Sequence, residues 1–250
     1  MRRAAIVPIV LLLIGSGHAA EPMRPTVWDL KLGAPAADQP PPDGFKSFAC
    51  GSDGGPPLRP LSSWREFSAC RADAAGLHEI AIEYDDEQEY IARARGDLDA
   101  LPRLGGTSEL AFPVIVSARF DDDGILKAIR LVSDPRPDYR PDQGDAELRS
   151  RKDAYKLSGF LAARFAIDPK RDCIAEPPAQ GESPVGQIFV KQRCTKRDGA
   201  RRITLETRYL RKAGQSERDP MLETRLTRGQ FDSFTRLDIE LIDKFSSCTR

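Results

Sequence analysis

His78 is the residue of this sequence best suited to acid–base chemistry. The chain contains two histidines, and the other, His18, lies in an apolar N-terminal stretch. Shortly after His78, the run "YDDEQEY" supplies Asp85 and Glu87. A histidine with nearby carboxylates can serve a hydrolase as general base and acid. The alternative is a histidine at a strand edge beside a solvated acidic run, and the sequence has no G-x-S-x-G nucleophile elbow.

A second acidic run, "FDDDG", raises the question of a cation site. With Gly124 at position 6 of an EF-hand loop, Asp121 and Asp123 fall at ligand positions. Positions 1 and 12 are then Arg119 and Arg130, so the EF-hand motif fails. The aspartates are typical of a tight turn. A cation site of another kind, combining Asp121 and Asp123 with the acidic run after His78, remains the alternative.

Other cofactor chemistries find no matching pattern. The cysteines form no C-x-x-C pair, and no H-x-x-x-H pair occurs, so neither a zinc site nor a dithiol redox site is indicated. The glycines of "GSDGGPP" are not followed by a lysine at Walker spacing. We therefore expect no cofactor.

Five cysteines allow two disulfide bonds and one leftover thiol, in fifteen arrangements. The spacing favours one of them. Cys50 and Cys70 enclose 19 residues, and Cys173 and Cys194 enclose 20. We predict the bonds Cys50–Cys70 and Cys173–Cys194, with Cys248 as a free thiol. Each bond would fasten a loop rich in glycine and proline.

The sequence after each cysteine pair has a similar pattern. A basic and acidic turn follows, and then apolar residues alternate as in a strand: Ile80, Ile82 and Tyr84 in one case, and Ile203, Leu205 and Tyr209 in the other. An internal duplication and a chance likeness both explain this pattern. Trp64 lies inside the first cysteine loop, as either a hydrophobic plug or a platform for a ligand.

The first 20 residues have the layout of a secretory signal peptide. A basic start precedes an apolar run, and small residues follow at Gly17 and Ala19. We expect a periplasmic or secreted protein, where paired cysteines are common, and no transmembrane segment after cleavage. Without Arg2 and Arg3, 36 basic residues face 38 acidic ones. This balance argues against nucleic acid as a partner. The excess of arginine over lysine suggests a bacterial source.

Four segments show clear patterns. Residues 112–132 predict a hairpin, in which Gly124 supplies the positive φ of the turn. Residues 145–167 predict a helix, because apolar side chains recur at helical spacing: Ala154, Leu157, Leu161 and Phe165. Residues 26–32 alternate like a strand. Phe231 to Phe245 fit either a helix or strands, and the preceding turn favours a final hairpin.

These elements predict an α+β fold, with mainly antiparallel sheets, one or two packed helices and two halves that a duplication would relate. Residues 85–95 could extend a strand, but their composition favours a helix. The proline-rich segment 135–144 is typical of a linker. We expect an N-terminal half over 21–134 and a C-terminal half over 145–250.

The segment "LKLGAP", the two cysteine loops and the hairpin "FDDDGILKAI" together cover under a third of the chain. They loosely resemble the tandem α+β modules of beta-lactamase inhibitory proteins and of SmpA/OmlA outer-membrane lipoproteins. The lipid-attachment cysteine of those lipoproteins is missing here. The resemblance implies a protein-binding role. Our hypothesis is therefore an exported, disulfide-stapled binding protein, whose partner is an unidentified protein or small ligand of the envelope. A periplasmic hydrolase using Asp85, Glu87 and His78 is the alternative.

Overall fold

The fold is known from a computed structural model of the chain. The structure describes six ranges: residues 26–52, 58–84, 95–96, 114–133, 154–215 and 231–242. Among these residues, no helix is long and apolar enough to cross a membrane.

The described residues contribute eight strands to one antiparallel sheet. In chain order they are β1 Lys46–Cys50, β2 His78–Tyr84, β3 Val114–Phe120, β4 Leu126–Ser133, β5 Cys173–Ala175, β6 Val190–Asp198, β7 Arg201–Leu210 and β8 Asp232–Leu241. Their order across the sheet is β1-β2-β3-β4-β8-β7-β6-β5. Two consecutive runs of four strands therefore meet where β4 pairs with β8.

The predicted α+β class with packed helices is wrong, whereas the relation between two halves stays a prediction. The structure shows one continuous sheet and one α-helix that is described over its whole length, α1 (Leu157–Arg164), which follows a 3-10 turn at Ala154–Lys156. The class is nearly all-β. Short 3-10 turns and extended chain, which prolines favour, cover the sheet around Pro35 and Pro40–Pro42. The boundaries predicted for the halves stay a prediction, and the proposed linker lies outside the described residues.

The hairpin prediction is confirmed by β3 and β4. Gly124 has φ +75°, a value that favours glycine, and the Asp121 carboxylate accepts a hydrogen bond from the Ile125 amide over 2.9 Å. A β-carbon on Gly124 would lie 2.8 Å from the Phe67 ring. Glycine is therefore required here by both backbone conformation and space.

The strands predicted after each cysteine pair are also confirmed, as β2 and β7. The alternation in the last segment likewise forms a strand, β8, which lies between β4 and β7. By contrast, the strand predicted for residues 26–32 is wrong. Val27–Asp29 is a 3-10 turn, because the Thr26 side chain accepts from the Trp28 amide and Asp29 bonds back to Thr26 in a capping box.

The main core lies on one face of the sheet. The predicted apolar stripe of α1 packs there through the fully buried Leu157 and Leu161. The N-terminal segment joins the same core beside the start of β4 and Phe165, and the 3-10 helix Trp64–Ala69 covers it next to β2. Trp64 is 3% exposed, and its indole nitrogen donates to the Pro40 carbonyl over 2.6 Å. It is thus a plug under the first cysteine loop.

Candidate binding face

Both predicted disulfide bonds are present, Cys50–Cys70 and Cys173–Cys194. Their surroundings differ. Cys70 follows a 3-10 helix, whereas Cys194 lies within β6 directly opposite Cys173 on β5. The first bond joins the end of a loop to β1, and the second joins the edge strand β5 to β6. Cys248 lies outside the described residues, so its free thiol stays a prediction.

His78 is held at both ring nitrogens. Nδ1 lies 2.6 Å from the Cys70 carbonyl oxygen, and Nε2 lies 3.1 Å from an Asp122 carboxylate oxygen. Because both neighbours are acceptors, the arrangement suits a ring with a proton on each nitrogen. The bond to Cys70 is the largest cause that raises the pKa of His78, burial opposes it, and Asp122 adds to it.

These contacts bear on the hydrolase alternative. A general base needs a nitrogen that is free to take a proton from a nucleophile or water. Both nitrogens of His78 instead face acceptors of the chain itself. Asp85 and Glu87 lie outside the described residues, so their role as acid and base stays a prediction. The carboxylate that the structure brings to His78 is that of Asp122, which sequence reasoning had assigned only to the turn.

The predicted cation ligands are turn residues in this structure. One oxygen of Asp121 accepts from the Ile125 amide, and the other lies 3.5 Å from the Lys127 ammonium. Asp123 is exposed on the same turn. In the described part of the chain, no group of three or more histidine, cysteine or acidic side chains is arranged to hold a metal ion.

The feature that sequence reasoning missed is a charged surface on the face of the sheet opposite the core. It consists of outward side chains of β6, β7 and β8, here called the charged face: Arg193, Thr195, Arg202, Thr204, Glu206, Arg236, Asp238 and Glu240. Together they line a cleft of about 440 Å³. Every lining residue is polar, with three arginines and three acids.

The charges of this face alternate because they pair across neighbouring strands. Arg202 donates to Glu240 over 2.6 Å, and Arg193 on β6 pairs with Glu206 directly opposite it on β7. Within β8 itself, Asp238 accepts a hydrogen bond of 2.7 Å from Arg236. The pairs fix the direction of each side chain, so the cleft presents a set pattern of positive and negative groups.

A second cleft adjoins the first. It has a volume of about 580 Å³ and shares Arg202 and Glu240 with the charged face. Its outer walls are two loops, Ala75–Leu77 before β2 and Asp121–Asp123 between β3 and β4. The predicted acidic turn therefore lies at one end of a continuous polar surface.

An apolar side chain stands at the other end of this surface. Ile174 on the edge strand β5 is 73% exposed, more than any other large hydrophobic residue in the described ranges. It lies directly opposite Arg193, so the two side chains share the face of the first cleft. The disulfide bond Cys173–Cys194 is the neighbouring pair in the ladder and holds this edge in place.

The sequence contained one signal for this face. The positions that alternate with the apolar residues of β7 are Arg202, Thr204, Glu206 and Arg208, which are polar throughout. Alternation places them on the opposite face, but only the strand order shows which charges become neighbours. No protein-family model, curated protein or solved structure matches the chain.

Proposed function

We propose that the chain is an exported binding protein that holds another protein on its charged face. The observation that carries the proposal is the cleft of about 440 Å³ with its fixed alternation of arginine and carboxylate. A surface with equal numbers of both charges is complementary to a protein surface that also presents both. It does not suit the uniformly negative backbone of a nucleic acid.

The exposed Ile174 supports a protein partner. Interfaces between proteins gain most of their affinity from a few rigid anchors surrounded by polar contacts. Ile174 is apolar, 73% exposed and next to a disulfide bond, so it loses little conformational freedom when a partner covers it. Export is supported by the two disulfide bonds, which persist in oxidising compartments.

Site-directed photocrosslinking in intact cells tests this proposal. A photoreactive amino acid at Thr204, inside the cleft, is expected to give one discrete adduct with another protein. The same group at Lys170 is the control. Lys170 is exposed and follows α1, which covers the opposite face of the sheet. Equal adducts from Thr204 and Lys170, or none from Thr204, would contradict the proposal.

A charge exchange then asks whether the pattern of charges matters. Arg193 and Glu206 lie opposite each other, so the double variant R193E/E206R keeps an ion pair within the sheet. It exchanges the positions of the positive and the negative charge that a partner would contact. We expect this variant to fold normally and to lose the Thr204 adduct. An adduct of unchanged strength would show that these charges do not recognise the partner.

A further inference from the structure

His78 joins the two loops that wall the second cleft. It directly follows the wall Ala75–Leu77, and its Nε2 lies 3.1 Å from Asp122 in the wall Asp121–Asp123. On its other side, Nδ1 lies 2.6 Å from the Cys70 carbonyl, next to the first disulfide bond. One imidazole therefore connects a covalently fastened loop with a turn that carries three aspartates.

The two contacts of His78 respond differently to loss of a proton. A neutral imidazole keeps one N–H. Because the Cys70 carbonyl is a close acceptor, the proton stays on Nδ1. Nε2 then presents a lone pair to a carboxylate oxygen, and the attraction between the two becomes repulsion. The Asp122 side chain is 91% exposed, so it can turn into water without losing a buried contact.

The charged surroundings of His78 favour its protonated form. Asp122 faces it from the turn, and Asp73 adds a negative charge from the preceding loop. Burial works to raise the pKa of Asp73, but hydrogen bonds from Arg119 and from two amides of its own loop outweigh burial and lower it. The 3-10 helix Trp64–Ala69 contributes the uncharged ring of Phe67, at 5.7 Å between centroids.

The remaining charged groups of the turn have other contacts. Asp121 bonds to the Ile125 amide and lies 3.5 Å from Lys127, and Asp123 is exposed. Only the Asp122 carboxylate of this turn is within hydrogen-bond distance of the ring.

We propose that His78 is a pH-dependent latch for the Asp122 side chain: when protonated it holds this carboxylate against the loop before β2, and when neutral it releases the carboxylate into water, while the backbone of the turn stays fixed by its own hydrogen bonds. The Asp122 carboxylate thus closes the gap between the two walls of the second cleft at lower pH and is free to bind elsewhere at higher pH. The latch is a property of the chain alone, so it can be tested whether or not the charged face binds a protein.

Nuclear magnetic resonance of the full chain provides the test. The protein has two imidazoles, and H78Q identifies the signal of His78 by its loss. Between pH 5.5 and 8.5, the amide signals of Asp122–Gly124 are expected to shift with the same midpoint as the His78 ring. Above that midpoint, the three-bond couplings of the Asp122 side chain are expected to change from those of one rotamer to an average over several rotamers.

Two matched variants separate the latch from a general charge effect. D122N and D123N each remove one carboxylate from the same turn, but only Asp122 contacts His78. D122N is expected to lower the titration midpoint of His78 clearly, and D123N much less. Equal effects of the two variants would overturn the proposal. The proposal would also be overturned if the amide signals of the turn did not shift at the His78 midpoint, or if they still shifted there in H78Q. D122N also provides the test if H78Q does not fold.

Discussion

Arg130 and Asp238 lie directly opposite each other on β4 and β8, and the arginine donates to the carboxylate over 2.7 Å. Their side chains are only 6% and 12% exposed. The other oxygen of the same carboxylate accepts from Arg236 on the charged face. One buried acid therefore joins the two four-stranded runs of the sheet and forms part of the floor of the first cleft.

This arrangement predicts that D238N is strongly destabilising. The amide keeps the size of the side chain but removes the charge that compensates Arg130, and breaking a buried ion pair typically costs about 3–5 kcal/mol. E240Q is the matched control, because it breaks the more exposed pair with Arg202, for which we expect less than about 1 kcal/mol. Urea unfolding of both variants measures the difference. Equal losses would mean that the buried pair has no special role.

His78 predicts a specific pH dependence of stability. Its pKa is raised in the folded chain, so folding is stabilised by the proton. That contribution is fully present below the ordinary histidine pKa of about 6.5 and is lost as the pH rises through the folded value. The difference in unfolding free energy between the native protein and H78Q should therefore shrink over this window. A difference that grows with pH would have the wrong sign.

The disulfide bonds predict two separate stability losses. Their cysteines are 20 and 21 positions apart, and for loops of this length the chain-entropy model gives about 3 kcal/mol each. We expect C50S/C70S and C173S/C194S each to lower the free energy of unfolding by that order. Peptide mapping without reductant checks the pairing itself. A peptide linking one pair to the other would contradict it.

Cys248 remains predicted as the free thiol. The four other cysteines are bonded in pairs, so no cysteine is left for an internal bond. A thiol reagent applied to the folded, monomeric protein should label Cys248, and C248S should remove the labelling. Labelling that persists in C248S would show that one of the two disulfide bonds is incomplete.

Local patterns predicted the strands better than the arrangement between them. The alternation in β2, β7 and β8 and the glycine of the β3–β4 turn depend on backbone geometry and on one buried face, which a short stretch of sequence reveals. The 3-10 turn at Val27–Asp29 was mistaken for a strand, because three apolar residues at alternate positions outweighed the capping box of Thr26 and Asp29. The helix predicted over residues 145–167 is present as α1 only over Leu157–Arg164, and the one favoured for residues 85–95 lies almost wholly outside the described residues.

The charged face could not be predicted from the sequence for a different reason. Arg130 and Asp238 are separated by 107 residues, and nothing local to either one indicates its partner. The charged face exists because β7 pairs with β6 and β8, and the sequence does not specify that β8 pairs on its other side with β4, which brings Arg130 to Asp238. His78 was recognised as unusual, but its carboxylate partner was sought in the acidic run beside it rather than in the turn across the sheet.

Ile174 predicts where binding energy is concentrated. Because it is exposed, I174S should leave the stability of the chain nearly unchanged, since a substitution at such a surface position usually alters it by less than about 0.5 kcal/mol. If Ile174 is the apolar anchor beside the charged face, the same variant should lose most of the crosslink from Thr204. L58S is the control, because Leu58 is 64% exposed but belongs to the first cysteine loop, at the opposite end of the strand order. A crosslink that survives I174S, or that L58S weakens equally, would show that exposed apolar surface in general, rather than this edge of the sheet, attracts the partner.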